Sequence, residues 1–314
     1  MLKGKVSVIG TGFVGSTTAY TLMTSGLVSE IALIDIDADK AEGDAMDMNH
    51  GISFVSPVKI TAGGYENLAG SGIVIIAAGA NQKEGETRTG LLKRNAAILK
   101  DIVGKVLEYC GGNGIILVVS NPVDILTHIT YKLSGFPRSR VIGSGTVLDT
   151  SRLRYLIGRQ LGIDARNIHS YIIGEHGDSE VAAWSTTTIA GMKFDEFCRR
   201  CGLCTDLDCK ARIYDEVRNA AYDIISKKGA TYYAIALAVR RIVEAVIGNE
   251  NSVLTVSSHF DGEYGIRDIC LSAPTVVNSS GAGRILETPF SPEELGKLRD
   301  SADILKRLAK EVGF

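Results

Sequence analysis

The chain has 314 residues, enough for about two domains and a substantial core. Its 45% hydrophobic and 22% charged content is globular, and a net charge of −2 leaves no basic footprint for nucleic acid. No apolar run approaches the ~18 residues of a membrane helix, and the start runs into a glycine-rich turn without a small-residue cleavage site, so a cytoplasmic protein is expected.

The first half alternates strand and helix. Lys5–Ile9 reads as a short apolar strand, followed at once by Gly10-Thr11-Gly12-Phe13-Val14-Gly15 and a helix over 16–25. This is G-x-G-x-x-G in the context that gives it meaning, strand before and helix after. The first glycine makes the tight turn, the second lets backbone N–H groups approach a pyrophosphate, and the third allows close helix–strand packing. The helix N-terminus adds unpaired donors and a favourable dipole for the anion. A second strand from Glu30 ends at Asp35, 20 residues past Gly15, where a carboxylate accepts ribose hydroxyls of NAD and repels the 2′-phosphate of NADP. Asp37 and Asp39 read as solvated loop acids.

Strands are expected over 58–61, 72–77, 115–119 and 141–143, with helices over 91–109 and 123–133. The 72–77 strand is apolar throughout, as a parallel strand covered on both faces should be. Ser120-Asn121-Pro122 ends the strand before it, because proline cannot continue one. The pattern predicts a doubly wound parallel sheet of about six strands with ligands beyond their carboxyl ends. Gly79 to Gly90 is a charged loop at that end, with Gly85 and Gly90 as hinges: a candidate lid.

In the second half Val147 opens a helix that puts Asp149 and Arg152 on one face, at i and i+3. Two readings stay open there: a structural ion pair, or Asp149 orienting a histidine while Arg152 clamps a substrate carboxylate. The histidine is His176, in Ile172-Ile173-Gly174-Glu175-His176-Gly177-Asp178-Ser179. The isoleucines read as a strand delivering His176 to a cleft, with glycines on both sides that let the backbone bend sharply. Histidine suits proton exchange near neutral pH. Beyond it come a strand over 182–190, helices over 210–228 and 230–247, and antiparallel strands over 252–260 and 266–277. Ser291-Pro292-Glu293-Glu294 is a capping box that opens a terminal helix to residue 312. Without a low-complexity linker, the two halves should pack directly with the cleft between them.

Cys198, Cys201, Cys204 and Cys209 loosely match metal-ligand spacing but lack the fourth-ligand spacing and proline of the common ferredoxin run. They read as reduced thiols on a surface segment, and no metal is expected.

Gly10 to Gly15, Asp35, Gln82 to Arg88, Ser120 to Asp124, Leu148 to Arg152, Gly174 to Asp178 and Gly229 to Thr231 together make the chain resemble the lactate/malate dehydrogenase family, on its L-lactate dehydrogenase branch, over essentially its whole length. The resemblance implies a Rossmann-type NAD-binding domain at 1–145 and an α+β substrate domain with antiparallel strands at 146–314. It implies that His176 exchanges a proton with the carbonyl oxygen as pyruvate and L-lactate interconvert. Asp149 would hold the imidazole, Arg152 pair with the substrate carboxylate, and Arg88 polarise the carbonyl. Asn121 would bond the substrate across a cis Asn121–Pro122 bond, and Thr231 would line the pocket. Val14, Lys40, Tyr65, Gly79, Ala80, Asn121 and Ser144 would join Gly10, Gly12, Gly15 and Asp35 against NAD. The bacterial members activated by fructose 1,6-bisphosphate are similar at Arg154 and His169, which implies a homotetramer with that effector held between subunits.

Hydride addition builds negative charge on a carbonyl oxygen, so a cation and an acid should face it. Malate dehydrogenase activity is an alternative, but it needs a cation for the second carboxylate where this chain has neutral Gln82. An NAD-dependent glycosidase is a second alternative, against which the Asp149, Arg152 and His176 set argues. An idle NAD-binding protein is a third.

Overall fold

Alternation along the first strand sets the architecture. In β1 (Lys5–Ile9), Val6 and Val8 enter one core while Ile9 enters another on the opposite face. The computed structural model describes residues 4–80, 88–112, 114–204, 206 and 208–314, apart from the side chains of 88 and 89. The same two-sided burial holds in β2 (Glu30–Ile34), β4 (Ser71–Ile76) and β5 (Ile115–Val118). With β3 (Lys59–Ala62) and β6 (Val141–Gly143) they form six parallel strands in the order β3-β2-β1-β4-β5-β6. Continuous apolar strands need cover on both faces. Here α1 (Phe13–Ser25) and α2 (Ala38–His50) cover one face, and α3 (Arg88–Cys110) and α4 (Val123–Ser134) the other.

Two local expectations need correction. The first helix starts at Phe13 because Gly12 is its N-cap. Asp37 is no loop acid: it is the N-cap of α2, accepting the Lys40 N–H at 3.1 Å, and Asp39 lies in that helix's first turn. The inward residues of α2 are Ala41, Ala45 and Met48, two of them too small to mark a helix by apolar periodicity.

The second half is interleaved with the first. It runs α5 (Val147–Leu161), β7 (Ile168–His169), β8 (Ile172–Ile173), β9 (Val181–Ala182), β10 (Thr188–Ile189), β11 (Met192–Lys193), α6 (Phe194–Cys201), α7 (Cys209–Lys228) and α8 (Tyr233–Ile247). Then come β12 (Ser252–Leu254), β13 (Ser257–Asp261), β14 (Arg267–Ser272), β15 (Thr275–Asn278), β16 (Gly281–Ile285) and α9 (Pro292–Glu311). The strand expected over 182–190 is broken by a 3₁₀ turn at Trp184–Thr186. The antiparallel strands of 252–277 do not stay apart from the parallel sheet: β13 pairs with β6, and β14 with β13, so the sheet has eight strands. Helix α8 joins the α1/α2 core and α9 the α3/α4 core. Ser291 and Glu294 form the expected capping box at the start of α9.

The cysteine segment also departs from expectation. Cys204 and Cys209 form a disulfide where reduced thiols were expected; their Cα atoms are 5.5 Å apart, within the range a disulfide spans. Cys198 and Cys201 are free. Among the described residues no helix is long and apolar enough to cross a membrane.

Candidate active site

The expected dinucleotide residues fall where the parallel strands end. Gly10 follows β1 with φ +94°, and a Cβ there would lie 2.5 Å from the Ala78 backbone nitrogen. A Cβ on Gly15 would lie 1.8 Å from the Gly10 oxygen, so no larger side chain lets α1 start this close to the turn. At Gly12 a Cβ would meet open space, and this N-cap has no side-chain bond to the helix. The first N–H groups of α1 thus face an open approach, a shape and donor set that fit a pyrophosphate. Val14 packs its side chain against the core below.

Asp35 follows β2. Its Oδ2 accepts the Thr11 N–H at 2.5 Å and its Oδ1 the Asp37 N–H at 3.0 Å. Burial pushes this carboxyl up, but those bonds, the Thr11 hydroxyl and nearby Lys40 outweigh it and hold it below the usual range. It is therefore an oriented anion, suited to accept from ribose hydroxyls. Lys40 bonds the Thr11 carbonyl and pairs with Asp44 at 2.7 Å, which closes the turn from the α2 side. Tyr65 lies in a 3₁₀ turn after β3; burial, then Asp101 and Asp35, raise its phenol, so it sits within electrostatic reach of Asp35.

Gly79 and Ala80 follow β4, Asn121 follows β5, and Ser144 follows β6. Buried Asn95 of α3 links two of these segments: its Oδ1 accepts the Ala80 N–H at 2.8 Å and its Nδ2 donates to the Asn121 carbonyl at 3.1 Å. Sequence reasoning gave Asn95 no role. The Asn121–Pro122 bond is cis. Ser144 is buried and donates its N–H to the Val118 carbonyl at 2.8 Å.

The histidine arrives as its strand predicts. β8 pairs with β9, and Gly174, at φ +89°, exchanges two backbone bonds with Ser272 of β14. Ser301 of α9 accepts the Glu175 N–H at 2.9 Å and bonds the Ser179 hydroxyl, which braces the loop. The His176 Nδ1 lies 2.5 Å from the Asp149 Oδ2, and Arg152 donates to the other oxygen, Oδ1, at 2.7 Å. Both readings of the Asp149/Arg152 pair therefore hold in part: the ion pair exists, and the same carboxylate also holds the imidazole.

Asp149 is buried and His176 partly buried. Burial by itself lowers the imidazole pKa, but the Asp149 charge, its hydrogen bond and Asp124 raise it to about 9. Burial raises the Asp149 carboxyl, and the His176 and Arg152 charges bring it below its ordinary value. At neutral pH the pair is thus an imidazolium on a carboxylate, with Nε2 the ring nitrogen left for proton exchange.

Two acids were not assigned from sequence. Asp124 of α4 accepts the His176 backbone N–H at 2.7 Å, and burial pushes its carboxyl up to about 6. Glu180 is buried four residues past His176; burial, then Asp149, raise it to about 8. Asp124 closes the Ser120 to Asp124 stretch and Glu180 stands one residue past Ser179, but neither position shows burial in one dimension.

Arg152 and Thr231 share the wall of a cavity of about 520 Å³ between α5, α7 and α8. Phe13 stacks on Tyr232 at 5.3 Å, which brings the start of α1 against the Thr231 segment. Gln82 lies outside the described residues; Arg88 opens α3, but its side chain lies outside them too. Arg154 donates to the Ser170 carbonyl at 3.1 Å, next to exposed His169.

A family model described as lactate/malate dehydrogenase, NAD binding domain, matches residues 4–143, and one described as lactate/malate dehydrogenase, alpha/beta C-terminal domain, matches residues 146–313. The L-lactate dehydrogenase of Acetivibrio thermocellus is 60% identical over 308 residues, 98% of this chain and 97% of that protein. L-lactate dehydrogenase 1 of Clostridium acetobutylicum is 59% identical over 303 residues, 96% of each. The ligand-bound crystal structure of the minor L-lactate dehydrogenase from Enterococcus mundtii superposes with a TM-score of 0.95 at 43% identity, covering 99% of this chain and 98% of the other.

Proposed function

The chain belongs to the lactate/malate dehydrogenase family and is an NAD-dependent L-lactate dehydrogenase, and from that premise we propose that His176 is its proton donor and acceptor, Asp149 its partner and Arg152 the substrate clamp. The observation that carries this reading is the single Asp149 carboxylate bonded to His176 through one oxygen and to Arg152 through the other.

Bound NADH supplies hydride for the carbonyl carbon of pyruvate. The chain's own residues do the rest. His176, charged at neutral pH, gives its Nε2 proton to the carbonyl oxygen and takes it back when lactate is oxidised. Asp149 fixes the ring through Nδ1 and stabilises its charge. One nitrogen of Arg152 is held by Asp149, so the guanidinium is pre-aimed and its other N–H groups are free to clamp a carboxylate. That clamp fixes which face of the substrate meets the nicotinamide. Arg88 would add a second cation at the oxygen, and neutral Gln82 would meet the methyl of pyruvate.

The reading also takes 1–145 as the NAD-binding domain, 146–314 as the substrate domain, and the cytoplasm as the compartment. It includes a homotetramer activated by fructose 1,6-bisphosphate at Arg154 and His169. In support, Arg154, Arg166 and Arg241 line one cavity of about 350 Å³. Exposed Phe13 and Tyr20 on α1, with Tyr233 and Leu237 on α8, offer apolar surface for assembly. The deciding experiment is NADH oxidation with pyruvate and with oxaloacetate side by side. Faster turnover with pyruvate is expected; a preference for oxaloacetate would overturn the assignment.

A further inference from the structure

Helix α4 lies against the β13–β14 hairpin, and three metal-ligating side chains meet at that contact. His128 of α4, His259 of β13 and Asp268 of β14 each offer a ligand atom within 4.8 Å of the other two. No other such group of three occurs among the described residues. The His259 Nε2 is 3.2 Å from the Asp268 Oδ1. The two imidazole planes are within 9° of parallel, with centroids 6.1 Å apart. Both histidines are buried, at 2% and 8% exposure, and the Nδ1 of each is buried with no hydrogen-bond partner among the described residues.

We propose that His128, His259 and Asp268 form a site for one divalent transition-metal ion, with Zn²⁺ the best match. Two imidazoles and one carboxylate are a borderline-soft N₂O set; zinc takes such ligands and completes a tetrahedron with water. The set lacks the several oxygens that magnesium or calcium needs. A cation already sits at the acid: the Lys132 ammonium is 2.5 Å from the Asp268 Oδ1. Lys132 is one turn after His128 and partly exposed, so its flexible stem can carry the ammonium into water and release the carboxylate to an ion. This departs from the sequence expectation of no metal, because His128 lies more than a hundred residues from His259 and Asp268 and the three form no spacing motif.

The ion would act in structure. It would tie α4 to β13 and β14 one turn beyond Asp124, the acid that holds the His176 backbone. The test titrates Co²⁺, read by its visible ligand-field bands, and Zn²⁺, read by calorimetry, into chelator-treated full-length enzyme. Parent, Asp268→Asn, His259→Gln, Cys201→Ser and His176→Ala are compared. One equivalent should bind the parent, with affinity reduced at least about tenfold in Asp268→Asn and His259→Gln and retained in the other two. Zn²⁺ should raise the Tm of the parent and not that of Asp268→Asn. Asp268 is largely exposed, so its variant keeps the test valid if His259→Gln does not fold. Absence of stoichiometric binding would overturn the site, as would binding unchanged in Asp268→Asn, or binding lost in Cys201→Ser or His176→Ala.

Discussion

Asp124 accepts the backbone N–H of His176 at 2.7 Å, a bond between residues 52 apart that ties the histidine loop to helix α4. The side chain of His176 is aimed by Asp149, but its backbone is anchored by Asp124. Asp124→Ala removes the acceptor and leaves a buried N–H unpaired, which should cost about 1–3 kcal/mol of stability. Turnover should fall, because the loop that carries His176 loses its anchor. Thermal unfolding and steady-state kinetics of Asp124→Ala check this; unchanged kcat would remove Asp124 from the positioning of the loop.

His176→Ala should lower turnover roughly 10²–10⁴-fold with NADH still bound, as measured by fluorescence titration. The pH profile offers a finer check. With the imidazole pKa raised to about 9, pyruvate reduction should hold through neutrality and fall as pH rises through about 9. Lactate oxidation should rise over the same window. In Asp149→Asn the two largest raising influences are lost and Asp124 alone still raises the ring against burial and Arg152, so the limb should move to lower pH. Stability follows the same sign. A pKa raised on folding contributes stability that is complete below about 6.5 and lost as pH approaches 9.

Asp35 should make the enzyme prefer NADH to NADPH, because an oriented anion beside the ribose repels a 2′-phosphate. In Asp35→Ser the preference, as the ratio of kcat/KM values, should narrow by about tenfold or more. Equal use of both cofactors by the unmutated enzyme would refute the role.

Gln82→Arg should move specificity from pyruvate towards oxaloacetate. A neutral amide leaves the second carboxylate unpaired, at a cost of several kcal/mol, whereas arginine pairs with it bidentately. The ratio of kcat/KM for the two acids is the measurement. A ratio that barely moves would take Gln82 away from the variable end of the substrate.

Fructose 1,6-bisphosphate should raise the apparent affinity for pyruvate by favouring an assembly in which cationic patches of neighbouring subunits lie close together. Arg154→Gln/His169→Gln should lose that response and keep basal turnover. Pyruvate saturation curves with and without the bisphosphate decide. An unresponsive parent ends the regulatory claim, and a responsive double variant moves the site elsewhere.

Local chemistry was readable from the chain alone. Gly10 to Gly15, Asp35, the Ser291/Glu294 capping box and the glycine-flanked His176 announce themselves because turns, caps and strand ends are decided by a few adjacent residues. Helix α2 escaped because its inward alanines carry a weak apolar signal. Tertiary structure decided what lies between distant segments. Strands β13 and β14 extend the parallel sheet because the edge at β6 offers unpaired backbone groups, a vacancy that no pattern in residues 252–277 encodes. Asn95, Asp124, Glu180 and the His128/His259/Asp268 cluster gain their roles only through burial and partners 9 to 140 residues away. Periodicity reports which face of an element is apolar; which polar groups meet across two packed elements depends on how those faces are joined in space.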